Sequence, residues 1–146
     1  MDKENEVLKN HQPQNDLLCN LFDDQGDFEH FLGYRFADMS EKERGAYVLE
    51  HSVMVCDELH EMFHEMPFFK SWKKYSDNPA DNAVMWQKAR MEFVDALHFF
   101  IAVAIALGFT PEELFAMYQN KLLENYKRQK NTTDYKRAIE READNP

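Results

Sequence analysis

Apolar residues recur at helical spacing through most of the chain. In the first such stretch, residues 16–36, the apolar stripe includes Phe22, Phe28 and Leu32. Steps of this size place side chains on one face of an α-helix. Gln25 falls on the same stripe, at a position where an apolar residue is expected. The pattern predicts a helix over residues 16–36 with one polar side chain on its buried face.

A second helix is predicted by its start and stop signals. Ser40 and Glu43 form an S-x-x-E capping box, in which each side chain bonds the backbone N–H group of the other residue. The helix should run to about Met66, because Pro67 follows. Residues 67–82 then form a connecting segment that is rich in aromatic residues.

Two further helices complete the pattern. The third is predicted from about residue 83 to 107 and ends at Gly108, which stands just past it. Thr110, followed by proline, caps a fourth helix that runs to about residue 130. Beyond that point the sequence leaves a short helix or a mobile tail open. Since no strand pattern is present, we expect an all-α fold, an antiparallel bundle of about four main helices.

Composition and charge favour one domain without a nucleic-acid polymer as partner. The 146 residues are enough to bury a core, and four glycines and five prolines are few for an all-β protein. We expect a flexible arm at 1–15, a single all-α domain at 16–135 and a charged tail at 136–146. The net charge of −10 argues against binding nucleic-acid polymers, which requires a basic surface. An anionic small molecule would need cations to screen its charge.

The sequence also indicates where the protein resides. Its first residues lack the apolar core and the cleavage site of a signal peptide. The nearly apolar window 91–109 contains Glu92 and Asp95, and such charges are costly inside a membrane. The window therefore predicts a buried core helix, and we expect a cytoplasmic protein with no membrane partner.

Two acidic pairs are the first candidates for chemistry. Glu58 and Glu61 lie three residues apart on the second helix, and Glu92 and Asp95 repeat that spacing on the third. A solvated acidic face explains the first pair equally well. The second pair stands in apolar surroundings, where like charges require protonation or a cation. Antiparallel packing would unite the four carboxylates, whose hard oxygens suit Mg²⁺, with Mn²⁺ as a substitute.

Other metals make different demands. Zinc favours histidine or cysteine ligands, and the six histidines show no convincing zinc-ligand spacing. A di-iron bundle uses Glu-x-x-His pairs on two helices. The pair Glu61/His64 has that form, and Asp95/His98 is its aspartate version, so a di-iron site remains an alternative.

The fourth helix carries a second candidate set. Lys121, Asn125 and Arg128 are spaced so that they share one helix face. Their cationic and amide donors are suited to holding phosphate groups. A solvated helix surface would show the same pattern, and that alternative stays open.

The acidic pairs in this order resemble the ExxE…ExxD signature of the all-α NTP pyrophosphatases, the superfamily of MazG-type enzymes and dimeric dUTPases. The chain is most similar to the dimeric dUTPases and the phage dCTP pyrophosphatase–dUTPases, over about residues 16–135. Further matches are F-K-x-W at 69–72, E-x-x-D-x-x-H-F at 92–99 and K-x-x-x-N-x-x-R-Q at 121–129. The tyrosine that follows in the family is represented by Tyr135, two residues later than usual.

The resemblance assigns a role to each motif residue. The residues that would bind Mg²⁺ and act in catalysis are Glu58, Glu61, Glu92 and Asp95. Phosphate contacts would fall to Lys121, Asn125, Arg128 and Lys70. Gln25 would read the base and Trp72 would stack on it, although core packing explains both residues as well. His98 and Tyr135 are further site residues by their place in the motifs.

The function implied by the resemblance is Mg²⁺-dependent hydrolysis of a pyrimidine deoxynucleoside triphosphate, dUTP first. The products are the monophosphate and pyrophosphate, formed by attack of a metal-activated water that Glu61 orients or deprotonates. dCTP, or both pyrimidine nucleotides, is the alternative substrate. A homodimer is expected by the same resemblance. A non-catalytic helical dimer or interaction module is the alternative of another class.

Overall fold

The computed structural model of the protein describes residues 16–66, 68, 70, 72 and 76–143, with side chains as far as residue 132. Its helices are α1 (Leu17–Phe31), α2 (Glu41–Glu65), α3 (Pro79–Ala106) and α4 (Pro111–Ala143). No strand occurs in the described ranges, so the all-α prediction is confirmed. The helices belong to two units: α1 to α3 lie in a unit that ends at Phe109, and α4 lies in a unit that begins at Thr110. The predicted arm falls outside the described residues.

Helix α1 ends earlier than predicted. Gly33 has φ +98°, a conformation that favours glycine because it has no Cβ. The N–H groups of Gly33 and Tyr34 donate to the carbonyls of His30 (3.1 Å) and Glu29 (3.0 Å), which closes the last turn. The chain then leaves the helix direction, although apolar residues continue to residue 36.

The start of α2 follows the prediction, and that of α3 does not. The Glu43 carboxylate accepts from the Ser40 N–H (2.8 Å), and the Ser40 hydroxyl accepts from the Glu43 N–H (3.3 Å), so the capping box is confirmed. Helix α3 begins at Pro79, four residues before the predicted start. The Asn78 side chain accepts from the Ala80 N–H (3.1 Å), which caps the helix, and Pro79 fits its first position.

Helix α4 extends well beyond its predicted end. Thr110 caps it, since the hydroxyl accepts from the Glu113 N–H (3.2 Å). The helix then continues through residues 131–134 to Ala143 rather than ending near residue 130. The Thr132 hydroxyl donates to the Arg128 carbonyl (2.9 Å), so this polar side chain is accommodated within the helix.

Helices α2 and α3 pack antiparallel. Tyr47 packs with Ala102 near the start of α2, and the Glu65 carboxylate pairs with Lys88 (3.4 Å) near its end. Residue numbers therefore rise on one helix as they fall on the other. The buried residues of α3 are mostly alanines, whose small side chains permit close approach of neighbouring helices: Ala89, Ala96, Ala102, Ala104 and Ala106.

The window 91–109 is only partly the buried core helix that its composition predicted. Phe93 and Phe100 are each about half exposed in the single chain (54% and 53%). Within the described residues, no single helix is both long and apolar enough to span a membrane.

Helix α1 packs on α3 through only part of the predicted stripe. Its buried residues are Phe22, Gln25 and Glu29, whereas Phe28 and Leu32 are about half exposed (50% and 51%). The prediction for Phe28 and Leu32 was therefore wrong. The steps 22, 25 and 29 also fit helical spacing, and this stripe carries two polar side chains into the interior.

Candidate active site

The antiparallel packing of α2 and α3 brings acidic side chains together. Glu58 and Glu61 from α2 and Glu92 from α3 each offer one carboxylate oxygen, and the three oxygens lie within 4.8 Å of one another. We refer to these three residues as the acidic group. Asp95 stands one turn after Glu92 on α3 and is close enough to Glu58 to affect its titration.

The electrostatics of Glu58 reflect this crowding. Partial burial raises the pKa of Glu58 above its ordinary value, and the negative charges of Glu61, Asp95 and Glu92 raise it further. Glu92 and Asp95, predicted to stand in apolar surroundings, are half-buried, and Glu61 is exposed. The repulsion among these carboxylates therefore comes mainly from proximity, and solvent reaches part of the group.

A cavity of about 560 Å³ lies among α1, α2 and α3. Most of its lining is apolar. Glu58 and Asp95 line it, so the cavity adjoins the acidic group. Its remaining polar lining includes Gln25, Glu29, His51 and His98. An apolar cavity with a few polar groups is the usual form of a small-molecule site.

A hydrogen-bonded network joins three of these polar residues. The Gln25 Nε2 donates to Glu29 Oε1 at 2.8 Å, and the Gln25 Oε1 lies 2.8 Å from His98 Nδ1. Gln25 and Glu29 are almost fully buried, with 6% and 3% of their surface exposed. Gln25, predicted as a base-reading residue, is therefore held in the cavity wall by partners on both sides of its amide.

Tyr47 and His51 on α2 border the same network. The Tyr47 and His51 rings stack with centroids 3.6 Å apart, and His51 Nδ1 lies 3.0 Å from the Tyr47 carbonyl oxygen. Burial and the neighbouring Glu29 carboxylate raise the pKa of the Tyr47 phenol. The Tyr47 hydroxyl and Glu29 Oε2 are both buried, and neither is aligned with a hydrogen-bond partner among the described residues.

For the other predicted site residues the structure describes local surroundings only. Trp72 is 78% exposed and is not among the described residues that line the cavity, and Lys70 is half-buried. Lys121 and Arg128 on α4 both face the Glu124 carboxylate, at 2.8 Å and 3.8 Å. Phosphate binding by these residues and by Asn125, which is exposed, stays a prediction. The Tyr135 side chain lies outside the described ones.

The sequence reasoning missed Glu29, His51 and Tyr47. Glu29 follows Gln25 by four residues, so it occupies the next place on the same helix face. His51 precedes Glu58 by seven residues, two helical turns, which also places both on one face. Both spacings were readable in the sequence. Tyr47 precedes His51 by four residues, but its proximity to Glu29 on α1 could not be read from spacing.

Comparison with known proteins identifies the family. A family model described as dUTPase matches residues 18–107. No curated protein and no solved structure gives a significant match. The matched segment is more than half of the chain and contains the acidic group and every residue that lines the cavity. The chain therefore belongs to the dimeric all-α dUTPase family of nucleotide pyrophosphohydrolases.

Proposed function

We propose that the protein hydrolyses dUTP to dUMP and pyrophosphate, using Mg²⁺ held by Glu58, Glu61, Glu92 and Asp95. The observation that carries this proposal is the convergence of three carboxylate oxygens within 4.8 Å beside a largely apolar cavity. A triphosphate needs cations at one end, and a base and sugar need an enclosed apolar surface at the other. The family match supplies the substrate class.

The residues of the acidic group fit a hard divalent cation. Burial and then the negative charges of its neighbours raise the pKa of Glu58, and a cation would remove the repulsion among these carboxylates. No histidine or cysteine belongs to the acidic group in the described part of the chain. Oxygen ligands alone favour Mg²⁺ or Mn²⁺ over the zinc and di-iron alternatives. When bound, the ion supplies charge neutralisation and lowers the pKa of its water.

The side chains would divide the remaining work. Glu61, the exposed member of the acidic group, would orient the attacking water and accept its proton. The apolar walls of the cavity would exclude water around the base. After its bonds to Glu29 and His98, Gln25 retains one amide hydrogen and one carbonyl lone pair for the base edge. Lys121 and Arg128 would neutralise phosphate charge.

The protein would act as a homodimer. Many large apolar side chains of α1 and α3 are half or more exposed in the single chain, among them Phe28, Phe31, Phe93 and Phe100. Exposed apolar surface of this extent marks an interaction site. Light scattering should give the mass of two chains, and an active, strictly monomeric protein would contradict the dimer.

Pyrophosphate release across the four deoxynucleoside triphosphates, with Mg²⁺ and with a chelator, tests the proposed reaction. We expect Mg²⁺-dependent release from dUTP. Release from dCTP alone would change the substrate and keep the reaction. Release from all four nucleotides would indicate a broad MazG-type activity, and no turnover of any nucleotide would favour a non-catalytic helical module.

Two variants test the site. Glu61→Gln and Asp95→Asn each remove one proposed ligand charge at nearly constant size, and we expect a loss of roughly 100-fold or more in kcat. Glu65→Gln is the matched control, because Glu65 lies one turn further along α2 and pairs with Lys88 outside the acidic group. Full activity in Glu61→Gln and Asp95→Asn would refute the assignment.

A further inference from the structure

The side chains of the network around Gln25 differ in whether they can exchange hydrogen-bond donor and acceptor roles. A glutamine amide can rotate so that its oxygen and nitrogen exchange places, and a neutral imidazole can move its proton between its two nitrogens. A carboxylate oxygen only accepts. Glu29 is thus the one member of the chain Glu29–Gln25–His98 that cannot change its hydrogen-bonding role.

The fixed role of Glu29 propagates through the network. Because Glu29 Oε1 accepts, the atom of Gln25 that faces it at 2.8 Å must be the amide nitrogen. The Gln25 oxygen then points towards His98, and His98 Nδ1 must donate a hydrogen to it over 2.8 Å.

We infer that Glu29 is a specificity-determining residue, which locks the Gln25 amide in one orientation and thereby limits the cavity to one of the two pyrimidine bases. The inference rests on the proposed function, in which Gln25 contacts the base. Uracil offers an acceptor at O4 and a donor at N3, whereas cytosine offers a donor at N4 and an acceptor at N3. One amide orientation therefore suits one base and opposes the other.

Serving the second base would require the Gln25 amide to rotate. Its carbonyl oxygen would then face Glu29 Oε1 across 2.8 Å, so two acceptors would oppose each other in a buried site. The hydrogen bond to a charged acceptor would be lost as well. We expect the wild-type protein to discriminate between dUTP and dCTP by roughly 100-fold or more in kcat/KM.

The variant Glu29→Gln tests the lock at constant size. A glutamine at this position can donate as well as accept, so both amides can rotate together and serve either base. We expect the ratio of kcat/KM for dUTP and dCTP to fall by roughly tenfold or more towards one. The control Asp27→Asn removes a carboxylate from the exposed side of α1, away from the cavity lining, and should keep the wild-type ratio.

A measurement on the wild-type protein does not depend on the folding of any variant. Long-range ¹H–¹⁵N correlation at an alkaline pH, where imidazoles are neutral, reports the tautomer of His98. We expect the hydrogen on Nδ1. A hydrogen on Nε2 would overturn the lock, as would an active wild-type protein that uses dUTP and dCTP equally, or a folded Glu29→Gln that keeps the wild-type ratio. Failure to hydrolyse any nucleotide would instead contradict the proposed function.

Discussion

Binding of Mg²⁺ to the acidic group should stabilise the folded protein by a measurable amount. The three carboxylate oxygens lie within 4.8 Å of one another, so each like-charged pair costs at least about 1 kcal/mol at the dielectric constant of water. The acidic group is partly exposed, so the repulsion is taken at the dielectric constant of water rather than at the lower value of a protein interior, which would make it larger. Three pairs give about 3 kcal/mol of repulsion that a bound cation removes.

A similar figure follows from mass action. A ligand at 100 times its dissociation constant stabilises the folded state by about 2.7 kcal/mol. For a chain of this length, that corresponds to a rise in Tm of roughly 6–12 °C. Thermal unfolding, followed by circular dichroism in a chelator and in saturating Mg²⁺, measures the shift directly.

Glu58→Gln is the informative variant for this assay. The folded-state pKa of Glu58 lies above its unfolded value. Protonated Glu58 therefore adds to the free energy of unfolding at low pH, and this stabilisation is lost as the pH rises through the folded-state pKa. At neutral pH and without metal, Glu58→Gln should therefore be at least as stable as the wild type. Its Mg²⁺-induced rise in Tm should be half of the wild-type value or less, whereas Glu65→Gln should keep the full rise. Equal rises in the wild type and Glu58→Gln would refute the reasoning.

Three other predictions concern the fold. Ala102→Leu adds bulk at a fully buried position beside Tyr47, and should lower the free energy of unfolding by about 1–3 kcal/mol in urea titrations. Gly33→Ala places a Cβ on a residue at φ +98° and should lower the free energy of unfolding by about 1 kcal/mol. Gly26→Ala in the middle of α1 should instead raise it by about 0.5–1 kcal/mol. Equal effects of the two variants would contradict the role of Gly33 in ending α1. Because its pKa is raised in the folded state, Tyr47 contributes to the free energy of unfolding fully below the ordinary tyrosine pKa and progressively less above it. Ultraviolet titration of the folded protein should therefore show one tyrosine that resists ionisation, and this tyrosine should be missing from Tyr47→Phe.

The helix ends were predictable where the signal is local. Ser40 and Thr110 cap their helices through bonds to residues three positions away, so the sequence contains the whole motif. The signal for the start of α3, Asn78 followed by Pro79, was also local. It was missed because the apolar pattern there is weaker. The buried face of α1 was not local. Spacing placed Phe22 and Gln25 on the buried face, but packing against α3 also buries Glu29 and leaves Phe28 half exposed.

The residues of the candidate site also differ in whether local spacing or contacts between helices bring them together. The spacing of Glu58 and Glu61, and of Glu92 and Asp95, sets two carboxylates on one face of each helix, and antiparallel packing then brings the pairs together. Glu29 bonds to Gln25 on its own helix and lies near Tyr47 on another helix. Only the pairing within α1 can be read from residue spacing. Sequence reasoning therefore predicted the acidic group better than the polar end of the cavity.

The Mg²⁺ dependence of pyrophosphate release from dUTP tests the central claim most directly. Release should saturate with Mg²⁺ in the wild type and in Glu65→Gln. In Glu61→Gln it should fall by roughly 100-fold and require a higher Mg²⁺ concentration for its half-maximum. Wild-type release that is unchanged in a chelator, or a Glu61→Gln variant with the wild-type Mg²⁺ curve, would contradict the assignment of the acidic group as the metal site.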